Sequence, residues 1–267
     1  MRATAIIGDV GGYVDQLEDC LDRLGIGGDT WPDGLTVVQV GDLLGGNDDM
    51  ACVRLVEPYM RAGRWIQLAG NWELEAVGGN NVTNDRGKTA DSAALRIFKG
   101  WHQDGLVQFA TAVPSRTGST AIVTHAGLTR EWWTTFAKAE TDAAKLVQII
   151  NDAKIASLMF GGEMSPLQLT PPSPMWASTN ELWASWSGHD LPWPLVHGHT
   201  APYDWTANKW LTHFIDPAIY PDAKPNVTKR HLTWRPSTGS HPIIGIDPGL
   251  WPGAPGSSLH ALLVTAE

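Results

Sequence analysis

Five polar residues stand just past short apolar runs. They are Asp9 after Ala5-Ile6-Ile7-Gly8, Asp42 after Val37-Val38-Gln39-Val40-Gly41, and Asn71 after Trp65-Ile66-Gln67-Leu68-Ala69-Gly70. His125 follows Thr120–Thr124, and His199 follows Leu195-Val196-His197-Gly198. Carboxylate, carboxamide and imidazole make a mixed O/N donor set, which suits Mn, Fe, Zn or Ni rather than a thiolate-bound structural zinc. A carboxylate can bridge two such ions, and paired metals about 3.5–4 Å apart are a common device for phosphoester hydrolysis. Taken singly, each residue says little: a Gly-Asp after a strand is usually a turn, and a lone buried His is usually a satisfied core residue.

The elements that must position these residues follow from periodicity. Residues 3–7, Leu35–Val40 and Trp65–Leu68 read as buried strands. Between them, Val14, Leu17, Leu21 and Leu24 recur at helical spacing, and a second helix runs from a cap at Asn47 or Asp48 to about Arg61. Strand, helix, strand, helix, strand is the pattern of a parallel α/β sheet, whose ligands bind outside the carboxyl ends of the strands. Further helices are expected at Thr89–Gly100, Glu131–Lys138, Thr141–Leu158 and Thr179–Trp186. Further strands are expected at Leu106–Val113, Thr120–Val123, Thr228–Arg235, Pro242–Ile246 and Leu259–Thr265. No internal repeat or linker-like break divides the chain, so one domain over 1–267 is expected, with insertions near 129–193 and 201–227. Residues 78–88 read as a mobile loop near the site, 161–176 as a surface excursion, and 201–226 as an insertion rather than core.

Composition narrows the partners. A net charge of −9 excludes a protein that coats duplex nucleic acid, which needs basic surface. No apolar run is long enough to span a membrane and no signal peptide precedes the first strand, so the expected location is the cytoplasm. Cys20 and Cys52 fall in expected helices and read as small core residues rather than a disulfide. Of the 14 tryptophans, Trp176, Trp183, Trp186, Trp193, Trp205 and Trp210 crowd one region. They read either as packing or as an aromatic wall able to stack a base or an aryl ester.

In order along the chain, Gly8-Asp9, Gly41-Asp42, Gly70-Asn71-x-Glu73, Thr124-His125-Ala126-Gly127 and Gly198-His199-Thr200 resemble the five motifs of the calcineurin-like metallophosphoesterases. The bacterial and phage phosphoprotein-phosphatase and diadenosine-tetraphosphatase group is the most similar. A final Ile246-Asp247-Pro248-Gly249 extends the resemblance over roughly residues 4–265. It implies a four-layer αββα sandwich with a dimetal site at the edge of the two sheets. It also implies roles: Asp9 as a ligand of the first metal, Asp42 as the bridging carboxylate, and Asn71, His125 and His199 as ligands of the second. His197 has no counterpart in the motif.

The pattern also breaks. The first motif usually reads Asp-x-His, but Gly11 stands at the His position, and a register with Gly-Gly-His would place it at Tyr13. The second motif usually continues Asp-x-x-Asp-Arg-Gly, whereas Asp42 is followed by Leu43-Leu44-Gly45-Gly46-Asn47, with no arginine to clamp phosphate. The third should be Gly-Asn-His-Glu, with the His as general acid; here it is Trp72. A general acid is worth about 10²–10⁴ in rate. A diester carries one charge fewer, and an acidic leaving group needs less protonation.

Two readings therefore stay open. One is a phosphoesterase using one or two divalent ions, Mn²⁺ first, on diesters, cyclic nucleotides or activated esters. Asp42, Asn71 and Glu73 would then act in catalysis, and Trp72 and Arg86 would bind substrate; Lys88 and Arg130 are weaker candidates for the lost clamp. The partner would be a phosphoester or nucleotide, with a phosphoprotein as the second class. The other reading is a catalytically impaired pseudo-phosphatase that binds a nucleotide or a protein.

Overall fold

Alternation along the strands sorts the side chains into two cores. The computed structural model describes residues 2–78, 89–115, 118–153, 158, 170–250 and 258–266. In β1 (Arg2–Ile7), Ile6 faces one cluster while Ala5 and Ile7 face the other; in β2 (Leu35–Gln39), Val38 and Val37 divide in the same way. Both strands, with β3 (Trp65–Leu68) and β4 (Val107–Gln108), form one parallel run. The chain then crosses at Phe109 into a second sheet, through β5 (Ala110–Pro114), β6 (Thr120–Thr124) and β7 (Leu195–His197). A small hairpin, β8 (Tyr203–Asp204) with β9 (Lys209–Trp210), precedes β10 (Lys224–Asn226), β11 (His231–Trp234) and β12 (Ile243–Gly245). Finally β13 (Ala261–Ala266) returns antiparallel beside β1.

The sheet orders are β13-β1-β2-β3-β4 and β10-β11-β12-β7-β6-β5. Ile6, Val38, Val40 and Leu68 of the first meet Val113, Ala121, Val123, Val196 and Ile246 of the second in an apolar layer between the sheets. On the outer face of the first sheet lie α1 (Val14–Arg23), α2 (Asp49–Arg61) and α3 (Ser92–Gln103). On the second lie α4 (Arg130–Phe136), α5 (Ala143–Asn151) and α6 (Thr179–Trp186). The result is the αββα arrangement that the motifs implied.

Some boundaries differ from the sequence reading, for identifiable reasons. The single strand expected over Leu106–Val113 is two strands, because the Asn151 carboxamide holds the crossing open. Its Oδ1 accepts from Phe109 and Ala110 N–H at 2.8 and 2.9 Å, and its Nδ2 donates to the Ala110 carbonyl at 3.0 Å. The strand expected from Thr228 starts at His231, after a turn in which Arg230 takes φ 49°. Residues 201–226 are not excluded from the core: they contribute β10, and Tyr203, Trp205 and Tyr220 are buried. The expected mobile loop lies largely, and the excursion at 161–176 mostly, outside the described residues.

No helix among the described residues is long and apolar enough to cross a membrane. Cys20 and Cys52 are buried and unbridged, and burial pushes the Cys20 thiol up to about 11. Most of the crowded tryptophans pack on other aromatic rings: Trp183 stacks on Trp234 at 5.0 Å, Trp186 and Trp193 group with Trp133, and Trp205 and Trp210 flank Tyr203, whereas Trp176 meets His199 edge-on at 6.0 Å.

Behind the strand ends of the first sheet sits a fully buried amide network. Gln39 Nε2 donates to the carbonyls of Gly8 and Gly41 at 3.1 and 2.7 Å, while its Oε1 accepts from Gly41 N–H at 3.1 Å. Gln67 donates to Gln39 and accepts from the Trp65 indole. One side chain thus fixes the glycines that precede both Asp9 and Asp42. Gln39→Leu would keep the volume but strand two carbonyls and an N–H. It should lower the unfolding free energy by roughly 2–4 kcal/mol, read by denaturant titration.

Candidate metal centre

Six parallel strands from the two sheets, β1, β2, β3, β6, β7 and β12, run to a common edge, and the chemistry-bearing residues sit just past their ends. Glycines let the two sheets, and neighbouring strand ends of the first, meet there. A Cβ on Gly198 would collide with the Asp9 carboxylate, and one on Gly70 with the Asp42 backbone and carboxylate. The third strand end turns at once into a single 3₁₀ turn, Asn71–Glu73, which aims Asn71 inward.

Asn71 Oδ1 lies 2.9 Å from His125 Nε2 and 3.0 Å from His199 Nδ1, and those two nitrogens are 3.1 Å apart. Asp42 Oδ1 is 3.6 Å from His125 Nε2. Each imidazole is bonded on its far side to a backbone carbonyl: His125 Nδ1 to Val40 O at 3.2 Å, and the His199 ring to Trp176 O. A carbonyl only accepts, so the outer nitrogens carry the protons and the inner ones present lone pairs. Burial, then each ring's histidine neighbours, holds both imidazoles neutral, His125 well below its usual range and His199 at about 4. Three lone-pair donors thus face one another with no proton between them.

That is the geometry of a coordination sphere. Bonds of about 2.1 Å meeting at right angles place neighbouring donors about 3.0 Å apart. The donor set therefore fits a divalent cation, which Asp42, Asn71, His125 and His199 could hold between them. Asp42, His125 and His199 meet as a potential metal-holding group among the described residues. Asp42 and His199 also take positive φ, 53° and 67°, a conformation that costs non-glycine residues energy and clusters at functional sites.

The other sequence-nominated residues make different contacts. Both oxygens of Asp9 accept from His199 N–H, at 3.1 and 3.0 Å, so its carboxylate braces a donor of the cluster. Burial, and then the charges of Asp247 and Asp42, raise its pKa well above the carboxylate range. The buried Glu73 carboxylate accepts from the backbone N–H groups of Asp42, Leu44 and Gly70 at 3.0, 2.9 and 2.8 Å. It ties the second and third strand ends together instead of facing the donors. Trp72 is half-buried, and its N–H donates to Asp42 Oδ1 at 3.0 Å. Arg86 and Lys88 lie outside the described residues. Arg130 is the first residue of α4, its N–H bonded to Ser185 Oγ.

The substituted motif positions are packed, not vacant. Gly45 and Gly46 stand where the resembled motif has its second acid and its arginine. A Cβ on Gly45 would overlap the Gly11 backbone, and Gly46 takes φ 77°. The buried Asp49 holds this loop, accepting from Gly45, Gly46 and Asp91 N–H at 2.9, 3.1 and 2.8 Å.

Asp247 was recognised in the sequence only as part of a closing element. It stands past β12 among the acids, and burial raises its pKa to about 6. Its signal was the one that nominated Asp9 and Asp42, an acid just past an apolar strand. The carbonyls of Val40 and Trp176 had no signal, since backbone acceptors carry no residue type.

No family model matches the sequence, and no curated protein matches it. Solved structures do. A point mutant of a cold-active protein tyrosine phosphatase is 16% identical with a TM-score of 0.51, over 98% of this chain and 75% of that one. That likeness is one of fold. A protein described as a diadenosine tetraphosphatase is 17% identical, with a TM-score of 0.45 over 98% of this chain and 89% of its own. A protein serine/threonine phosphatase from Saccharomyces cerevisiae with similarity to human phosphatase PP5 is 11% identical, with a TM-score of 0.43 over 100% and 80%. At these identities the comparison speaks to fold alone.

The donor geometry predicts distinct effects for two neighbours. Asn71→Ala removes an inward donor and should weaken Co²⁺ affinity by more than about 100-fold, beyond what loss of a group bonded behind a ligand usually does. Glu73→Gln replaces one accepting oxygen with an NH₂, which then faces either the Leu44 N–H or those of Asp42 and Gly70. It should lower unfolding free energy by about 2–3 kcal/mol while shifting Co²⁺ affinity less than Asn71→Ala does. Titration calorimetry beside thermal denaturation separates the two.

Proposed function

We propose that the protein is a metal-dependent phosphoesterase that favours phosphodiesters, cyclic nucleotides or esters with acidic leaving groups. The observation that carries this reading is the convergence of the Asn71, His125 and His199 lone pairs beside Asp42 at coordination distances. A divalent cation held there supplies hydroxide near neutral pH and neutralises charge on phosphoryl oxygens. Mn²⁺ is the first choice for such an O/N set, with Fe, Zn or Ni as alternatives.

The chain's own residues account for the substrate preference. Asp42, braced by Trp72 N–H, adds the one negative ligand to three neutral ones. Trp72 occupies the general-acid position, and an indole cannot protonate a leaving alkoxide. The glycines at 45 and 46 offer no charged side chain to a phosphomonoester dianion. Both losses matter least for a monoanionic diester with a phenol or enol leaving group. A nucleotide or other small phosphoester is the proposed partner, and the two unbridged cysteines support a reducing compartment.

Trp72 and Gly46 also motivate a second reading, a non-catalytic nucleotide-binding protein. Metal analysis of protein purified without chelator, followed by a comparison of bis-aryl phosphate with aryl monophosphate, decides between them. The phosphoesterase should hold at least one ion, or take up added Mn²⁺, and turn over the diester faster. Asp42→Asn should abolish that turnover. Metal without turnover on any ester would favour the binding protein, and no metal even with added Mn²⁺ would sink the catalytic reading. Trp72→His should help alkyl esters more than aryl esters, with a gain at or below the low end of the roughly 10²–10⁴ that a well-oriented acid provides, because no acid at position 45 orients the ring.

A further inference from the structure

His197 is 1% exposed, matches no motif position and plays no part in the reading above. Its Nδ1 lies 2.9 Å from the carbonyl of Gly198, so Nδ1 carries the proton. Its Nε2 has no hydrogen-bond partner and faces Gly245 of the neighbouring strand, where a Cβ would come within 3.4 Å. A buried acceptor without a partner costs stability, so something must recommend the ring at this position.

The peptide it bonds is unusual. Gly198 O also accepts from Thr200 N–H at 2.8 Å, closing a three-residue turn around His199, whose φ is 67°. This is a γ-turn of the rare, strained hand. Such a conformation persists only where its surroundings over-determine it. Here the Gly198–His199 peptide is gripped at both ends: its carbonyl by His197 Nδ1–H, and its N–H by both oxygens of Asp9. Gly198 N–H is itself bonded to the His125 carbonyl at 2.8 Å. Rotation of that peptide would swing His199 Nδ1 away from Asn71 and His125.

We propose that His197 is a positioning residue: with Asp9 it pins the strained Gly198–His199 peptide and so sets the direction of the His199 donor. The inference rests on the metal-centre reading for its purpose, but the pin itself can be measured without metal. His197→Leu keeps volume and removes the donor. His197→Asn restores an N–H donor at the place of Nδ1.

Two readouts are taken on the full chain: amide hydrogen exchange of His199 in metal-free protein, and Co²⁺ affinity from its visible absorption. His197→Leu should speed exchange at His199 by about tenfold or more while leaving the melting temperature equal or higher, because the unpartnered Nε2 is gone. It should weaken Co²⁺ binding by about 10–100-fold. His197→Asn should stay near wild type in both. Unchanged exchange in His197→Leu, or an Asn variant as fast as the Leu variant, overturns the proposal. Should His197→Leu fail to fold, His197→Phe, which keeps a ring but has no donor, takes its place: raised exchange supports the pin and wild-type exchange overturns it. Wild-type protein that takes up no Co²⁺ would instead refute the metal centre, while the exchange comparison still tests the pin.

Discussion

Three lone pairs held about 3 Å apart with no proton among them repel one another, and most of the structure near the strand ends can be understood as resisting that repulsion. The Val40 and Trp176 carbonyls hold the imidazole tautomers, since letting either ring turn over would place a proton in the centre. Glu73 holds the backbone on either side of Asp42 and Asn71, and Gln39 holds the glycines one step further back. Preorganisation of this kind is what a cation would exploit: its ligands need little rearrangement on binding.

The arrangement also explains why acids so near the centre do different work. Asp42 points an oxygen at His125, Asp9 braces a peptide, Glu73 gathers three N–H groups, and Asp49 anchors a loop. Sequence spacing cannot separate these roles, because each is an acid close to a strand end or a helix start. Only the direction of the carboxylate, set by the first few backbone dihedrals after the strand, tells ligand from brace.

That limit governs how far the sequence could be read. Apolar runs ending in Gly-Asp, Gly-Asn or Gly-His carried the parallel strands and the candidate donors, because burial on both faces and close backbone approach leave a mark on residue type. The crossing at Phe109 left none: Leu106–Val113 looks like one strand, and the cause of its division is an asparagine some forty residues away. The strained turn at His199 was equally hidden, since nothing in Gly-His-Thr distinguishes a γ-turn from any other. Residues 201–226 misled for the opposite reason. Proline and aspartate mark turns faithfully, but they hide the buried tyrosines and tryptophan between those turns.

The glycine loops at 11–12 and 45–46 bear on how such a site can change. Gly45 lies against the Gly11 backbone, which leaves no room for a side chain, and Gly46 takes a left-handed conformation. A side chain added at 45 would meet backbone instead of an open socket, and one added at 46 would sit in a strained conformation. Whatever this centre binds therefore meets main chain at this loop, and any side chain added there carries a structural cost before it can touch a ligand.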